Sequence, residues 1–329
     1  MEHFWQTICD IFQNTLMFIL TTELIIGNLG NGFLALVNCL SWVKRKKISF
    51  VNQILTALAA SRICLLWLLY TASLISFLNP DLMMTARVTK VLSNLWIIGH
   101  HFSIWLATCL GIFYFLKIAN FSNSLFLYLK WRVKEMVSVI LLVSLVPLFL
   151  HILLVNLHIN IWINESQRNV SYHFRYHKPA EFYRHMLSLH TLFLSVPFGV
   201  YLSSFLLLIF SLWTHHKKMQ QHVQGCRDAG TMAHLRALQT VIAFLLLYTT
   251  FFLSIFVQIW KYELLEKNIF ILFCQVFALA FPSVHSCVLI LGDMKLRQTS
   301  LSVLWWVICR PNKCGDLRSL KHWRSCRKF

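Results

Sequence analysis

The chain has 329 residues, 57% of them hydrophobic and only 13% charged, with a net charge of +18 and a mean hydropathy of +0.62. A soluble domain carries about a quarter charged residues, so this balance excludes a soluble globular class and indicates a membrane protein. The basic excess needs no nucleic-acid partner, because Lys and Arg gather at the cytoplasmic face of membrane proteins and suit acidic surfaces there.

Seven apolar runs are long enough to cross a hydrocarbon core of about 30 Å. They fall at 16–42, 52–78, 88–116, 135–157, 184–213, 236–260 and 267–292. The expected fold is an all-α membrane protein, a seven-transmembrane helix bundle. Residues 1–15 form a short extracellular N-terminus, 16–292 the bundle, and 293–329 a cytoplasmic tail that begins with an amphipathic helix. Glu2 and Asp10 stand where a basic leader would be, so no cleavable signal peptide is expected. With the N-terminus outside and the C-terminus cytoplasmic, 21 Lys and Arg lie inside and eight outside, the asymmetry that sets orientation.

The first span places Glu23, Gly27, Asn31 and Asn38 on one face. The second carries Arg62 at its middle, where a charge costs about 2.5–3.5 kcal/mol on insertion scales and survives by facing the protein interior. Asn31 and Arg62 both lie ~15 Å from the inner boundary at 1.5 Å per residue. Asn31 is therefore the expected partner, its side-chain carbonyl accepting from the guanidinium.

The third span has the clearest stripe. Trp96, His100, Ser103, Ala107, Leu110 and Tyr114 recur at helical spacing. His101, Trp105 and Thr108 form a second stripe about 100° round. Adjacent histidines point apart and make poor joint metal ligands. His100 and His101 read either as satisfied interior histidines or, beside Trp96, as the lining of an external cavity.

The fourth, fifth and seventh spans contain Pro147, Pro197 and Pro282, each of which frees a backbone carbonyl for a neighbour. Two sequons, Asn164-Glu-Ser166 and Asn169-Val-Ser171, fall in the long loop after span four and are expected to be glycosylated outside. A third, at Asn120, is cytoplasmic and should stay bare. Cysteine is absent between Lys117 and Cys226 and from 79–87, which excludes a disulfide from the third span to the second external loop. Cys309, Cys314 and Cys326 are palmitoylation candidates and fit no zinc spacing. In span seven, His285-Ser286 lies near the depth of Asn31 and Arg62. A static clamp and a moving relay both fit this polar centre.

No enzyme signature occurs: no HExxH, nucleophile elbow or phosphate-binding loop. No metal or cofactor is expected. A transporter or channel is the alternative of another class, but the two halves show no repeat.

Several long stretches carry a resemblance that runs from span one to the end of span seven. They are Leu55-Thr-Ala-Leu-Ala-Ala-Ser-Arg62-Ile-Cys-Leu-Leu-Trp67, His101 through Tyr114 and Lys117 to Ser122, Ser211-Leu-Trp213-Thr-His215-His-Lys-Lys-Met219, Phe244 to Tyr248, and His285-Ser286 through Lys295. In these the chain resembles the bitter taste receptors, the type 2 taste receptor family of seven-helix G-protein-coupled receptors, and within it the broadly tuned branch. The Phe-Tyr-Phe-Leu-Lys117 and His285-Ser286 motifs favour this family over a pheromone-type receptor of the same fold.

The resemblance implies a plasma-membrane receptor for bitter small molecules, coupled to a gustducin-like or inhibitory heterotrimeric G protein. It implies ligand contacts at Trp67, Trp96, His100, His101, Ile271 and Gln275. Activation positions would be Asn31, Arg62, Tyr114, Pro197, Tyr248, His285 and Ser286. Lys117, His215, Lys217 and Lys218 would face the G protein. His100 stands where close relatives often carry asparagine, and Asp293 replaces an asparagine common at that junction.

Overall fold

The computed structural model describes residues 2–45, 49–79, 82, 85–119, 121–168, 174–222, 229–261 and 268–309. Among the described residues ten helices run in order: α1 Glu2–Arg45, α2 Phe50–Leu78, α3 Ala86–Ile118, α4 Ser124–Trp131, α5 Val133–Val143, α6 Leu145–Arg168, α7 Phe174–His222, α8 Ala229–Trp260, α9 Asn268–Gly292 and α10 Met294–Cys309. Among the described residues no strand occurs. Seven stretches of the described residues are long and apolar enough to cross a membrane, from Thr7–Val43 to Leu272–Gly292. Residues 2–15 continue the first span's helix, and the helix after span seven is α10.

The fourth span is two helices in line, α5 and α6, interrupted at Ser144. Pro147 explains the interruption: it lacks an N–H, and its ring collides with the carbonyl four residues back. Ser144 N–H bonds the carbonyl of Ile140 at 2.9 Å, and its hydroxyl donates to the carbonyl of Leu141 at 2.7 Å. Between spans three and four, α4 is capped by Asn123, whose side chain accepts from Leu125 N–H at 2.9 Å. It is anchored by Phe126 against Phe115 and Phe121.

The spans pack as a closed ring in which each touches the next and α9 closes on α1. Helix α3 is the most buried of the seven. It touches α2, α5, α6 and α7 and is the bundle's axis. Its interior face is the stripe expected from the sequence: His100, Ser103, Ala107 and Leu110 are buried, and Trp96 and Tyr114 half-buried. The outer surface carries Phe18, Leu142, Val146, Phe149, Phe210 and Leu246 exposed, an apolar surface that suits lipid rather than water.

Side chains disappear where helices must approach. A Cβ on Gly27 would stand 2.6 Å from Leu66 Cδ1 and 3.2 Å from the Ser283 Cα. Gly27 thus admits α2 and α9 together against α1. In the same helix, a Cβ on Gly32 would meet nothing within 4 Å.

Candidate ligand-binding site

Where α2 ends and α3 begins, the bundle holds a cavity of about 230 Å³ lined from α2, α3, α7, α8 and α9. Its wall is chiefly apolar: Leu68, Leu69, Met186, Leu187, Phe251 and Ile255. Polar groups are few and separated, among them Thr89, Ser93, His100, Gln258 and Gln275. That mixture suits an apolar molecule oriented by a small number of hydrogen bonds. Gln275 is held from the side, its Oε1 accepting from Ser73 Oγ at 2.7 Å.

Of the ligand residues expected from the sequence, Trp96, His100 and Gln275 line this cavity, and Trp67 and His101 do not. Trp67 is half-exposed on the outer surface. It lies five residues beyond Arg62, about 140° round a helix of 3.6 residues per turn, and the buried face of α2 is the one holding Arg62, Leu65, Leu66 and Leu69. His101 turns instead to the fourth span, its Nε2 lying 3.2 Å from Ser144 Oγ. The side chain of Ile271 lies outside the described residues.

Two histidines absent from the sequence reading complete the wall behind Trp96. The His190 ring is 4.0 Å from the Trp96 ring centroid and 5.3 Å from those of His100 and His151. The signal was present, since Phe182, Met186, His190, Leu194, Pro197, Tyr201 and Phe205 recur every three or four residues along α7. Spans three and four are further joined by Asn156 Nδ2, which donates to Asn94 Oδ1 at 2.8 Å.

Below the cavity, rings form a continuous column. His100 stacks on Phe251 at 5.5 Å, and Phe251 lies 5.3 Å from Phe281. Phe281 lies 5.2 Å from Tyr248 and 5.6 Å from His285. The Arg62 guanidinium carbon sits 5.2 Å from the Phe281 ring centroid, inside cation–π range. Tyr248 also meets Tyr201 edge-on at 4.5 Å. Pro197 is buried beside this column, its carbonyl 3.5 Å from Thr108 Oγ1.

The expected pairing of Asn31 with Arg62 is not the one the fold makes. Asn31 Nδ2 donates to the carbonyls of Gly27 at 2.8 Å and Pro282 at 3.2 Å. Its Oδ1 accepts from Ser286 Oγ at 2.5 Å. Depth matched the two residues, but the azimuth of each helix decides the partner. Asn31 faces α9, whereas Arg62 faces the column. Arg62 is fully buried, and among the described residues none of its nitrogens has a hydrogen-bond partner.

At the opposite end, Tyr114 is half-buried within electrostatic reach of Asp293. Lys117 is exposed in the last turn of α3, its Nζ 6.0 Å from the Phe113 ring. Lys217 is exposed near the end of α7. The side chains of His215 and Lys218 lie outside the described residues, as do Asn120, Asn169, Cys314 and Cys326. The helix holding Cys309 is described, but its side chain is not.

A seven-helix membrane bundle with a ligand-sized cavity at one end, a buried polar centre and basic residues at the other end is the layout of a seven-helix receptor. Residues 8–308 match the family described as Taste receptor protein (TAS2R). The chain is 67% identical to taste receptor type 2 member 117 of Rattus norvegicus over 312 residues, covering 95% of this chain and 98% of the relative. It is 65% identical to taste receptor type 2 member 109 of the same species, with coverage of 95% and 98%. It is 53% identical to taste receptor type 2 member 14 of Macaca mulatta, with coverage of 96% and 98%. The chain belongs to the taste receptor type 2 family and is a bitter-taste G-protein-coupled receptor of the membrane, not an enzyme.

Proposed function

We propose that small bitter molecules, chiefly apolar, bind in the cavity between α2, α3, α7, α8 and α9, with Trp96, His100 and Gln275 as contacts. In this reading the N-terminus and cavity face outward, and the tail is cytoplasmic. The basic inner ends of spans three and five, with Lys117 and Lys217, engage a heterotrimeric G protein of the gustducin-like or inhibitory class. The observation that carries the reading is the ring column, because it joins the cavity floor at His100 and Phe251 to the polar centre at Phe281 and Arg62 without a break.

Trp96 offers an amphipathic face on which an apolar ligand can stack. Gln275, restrained by Ser73, offers a fixed amide. An agonist acts only by binding the active arrangement better than the inactive one. A ligand that wedges His100 against Phe251 meets that condition if the column repacks on activation.

A compound library screened in cells carrying a chimeric G-protein subunit tests this. Agonists should give calcium responses that require the subunit. Trp96→Ala should raise the half-maximal concentration about tenfold, the equivalent of about 1.4 kcal/mol, and Gln275→Ala should do so for a polar subset. Unchanged responses to every agonist in both variants, at normal surface expression, would place the site elsewhere. Ligand-gated current without any G protein would refute the coupling.

A further inference from the structure

The centre of the bundle holds a group of buried polar atoms with no hydrogen-bond partner among the described residues, His285 Nδ1 included. Arg62 brings a permanent positive charge and five N–H groups, and Nε, Nη1 and Nη2 are all buried without a hydrogen-bond partner among the described residues. Tyr201 and Tyr248 are fully buried, and among the described residues neither hydroxyl has a partner within hydrogen-bond geometry. The Thr108 hydroxyl lies close to that of Tyr248, but its own proton is directed to the carbonyl of Ile104 at 2.9 Å. Arg62 is within electrostatic range of Tyr201 and of His285. The contact of Gly99 with Leu65 sets Ser103, one turn further in, near the level of Arg62. The Ser103 hydroxyl is likewise buried and unpartnered.

A buried charge needs a counter-charge as well as hydrogen bonds. Among the described residues no carboxylate pairs with Arg62. Asn31, the nearest expected acceptor, is committed to Ser286. The Phe281 face offsets part of the charge but accepts no N–H in the guanidinium plane. Water would accept some of these donors and leave the charge uncompensated.

We propose that Arg62, Tyr201 and Tyr248 form a binding site for a small monatomic anion, chloride under cellular conditions, at the junction of spans two, five, six and seven. A halide accepts N–H and O–H from all directions, so it can take donors from three helices without demanding one geometry. It would link α2 to α7 and α8, which share no direct hydrogen bond with Arg62. The proposal does not depend on where agonists bind.

The test is thermal unfolding of the purified full-length receptor in detergent, with sodium chloride or bromide exchanged for sodium gluconate at constant ionic strength. A ligand that binds only the folded state raises its stability in a saturable way. The unfolding midpoint should rise by several degrees with halide and saturate. Tyr201→Phe and Tyr248→Phe preserve the rings and should each raise the half-saturating halide concentration several-fold. Arg62→Met should abolish the halide response if it folds, and the two tyrosine variants decide the matter if it does not. Superimposable halide and gluconate curves in the unmodified receptor would overturn the proposal. So would a halide response that both tyrosine variants retain in full, since that would mark binding to the basic surface.

Discussion

Asn31 joins two helices through one amide. Its nitrogen satisfies a carbonyl of its own helix and the Pro282 carbonyl of α9, while its oxygen takes the Ser286 hydroxyl. Removing it leaves the buried Ser286 hydroxyl without its acceptor and takes a second donor from the Gly27 and Pro282 carbonyls, and a stranded buried polar group costs about 1–3 kcal/mol. Asn31→Ala should therefore lower the unfolding midpoint of the receptor in detergent clearly more than Ser286→Ala, which leaves Asn31 two of its bonds. The double variant should be less damaged than the sum, with a coupling of about 0.6 kcal/mol and at most about 1.7, the range met between membrane helices. Additive effects would contradict the bond. Phe281 has a different task. It lies outside the cavity wall but touches Phe251, Tyr248, His285 and Arg62. Phe281→Leu should leave agonist affinity within about threefold and lower the maximal calcium response, read against surface expression. A fall in affinity with a normal maximum would show that the residue shapes the cavity instead.

Helix α1 depends on a missing side chain. Gly27→Ala would put a methyl against Leu66, Ser283 Oγ and the α9 backbone. The two side chains can turn, but the Cα at 3.2 Å requires α9 to shift by a few tenths of an ångström. Overpacking of this kind costs about 1–3 kcal/mol, so the midpoint and surface expression should both fall. Gly32→Ala, in the same helix with open space around it, should change neither and serves as the control. Equal effects of the two would show helix propensity at work rather than packing. Spacing put Gly27, and not Gly32, on the face of Glu23, Asn31 and Asn38, but it does not say that this face meets a neighbouring backbone. The break in the fourth span was more legible. Pro147 announced a distortion, though not that it would leave Ser144 turned toward His101. That contact removes His101 from the cavity, and only the relative rotation of spans three and four determines it.

Across the whole molecule, what depends on period and length was readable in advance: seven spans, the buried stripe of α3 and the interior position of Arg62. What depends on the rotation of one helix against another was not, which is why the outward side of Trp67 and the partner of Asn31 were not foreseen. Phe251 and Phe281 escaped notice because a phenylalanine in an apolar helix looks like any other lipid or core residue until its neighbours are known. Orientation is a further property on this scale, and two independent features bear on it. Arg45, Lys117 and Lys217 stand at the ends of spans one, three and five, opposite the cavity, where a basic excess marks the cytoplasmic side. Asn164 is exposed near the end of α6, at the cavity end of the bundle, and Asn169 follows it in sequence. If the cavity faces outward, glycosidase digestion of receptor expressed in mammalian cells should increase its electrophoretic mobility, and the double substitution Asn164→Gln, Asn169→Gln should abolish that increase. Asn120→Gln should leave it intact. A tag on the C-terminus should be stained by antibody only after the cells are permeabilised. Glycan retained by the double variant and lost with Asn120→Gln would reverse the topology. It would also remove the cavity from the side on which bitter molecules arrive, so this one measurement bears on the ligand site as directly as on the fold.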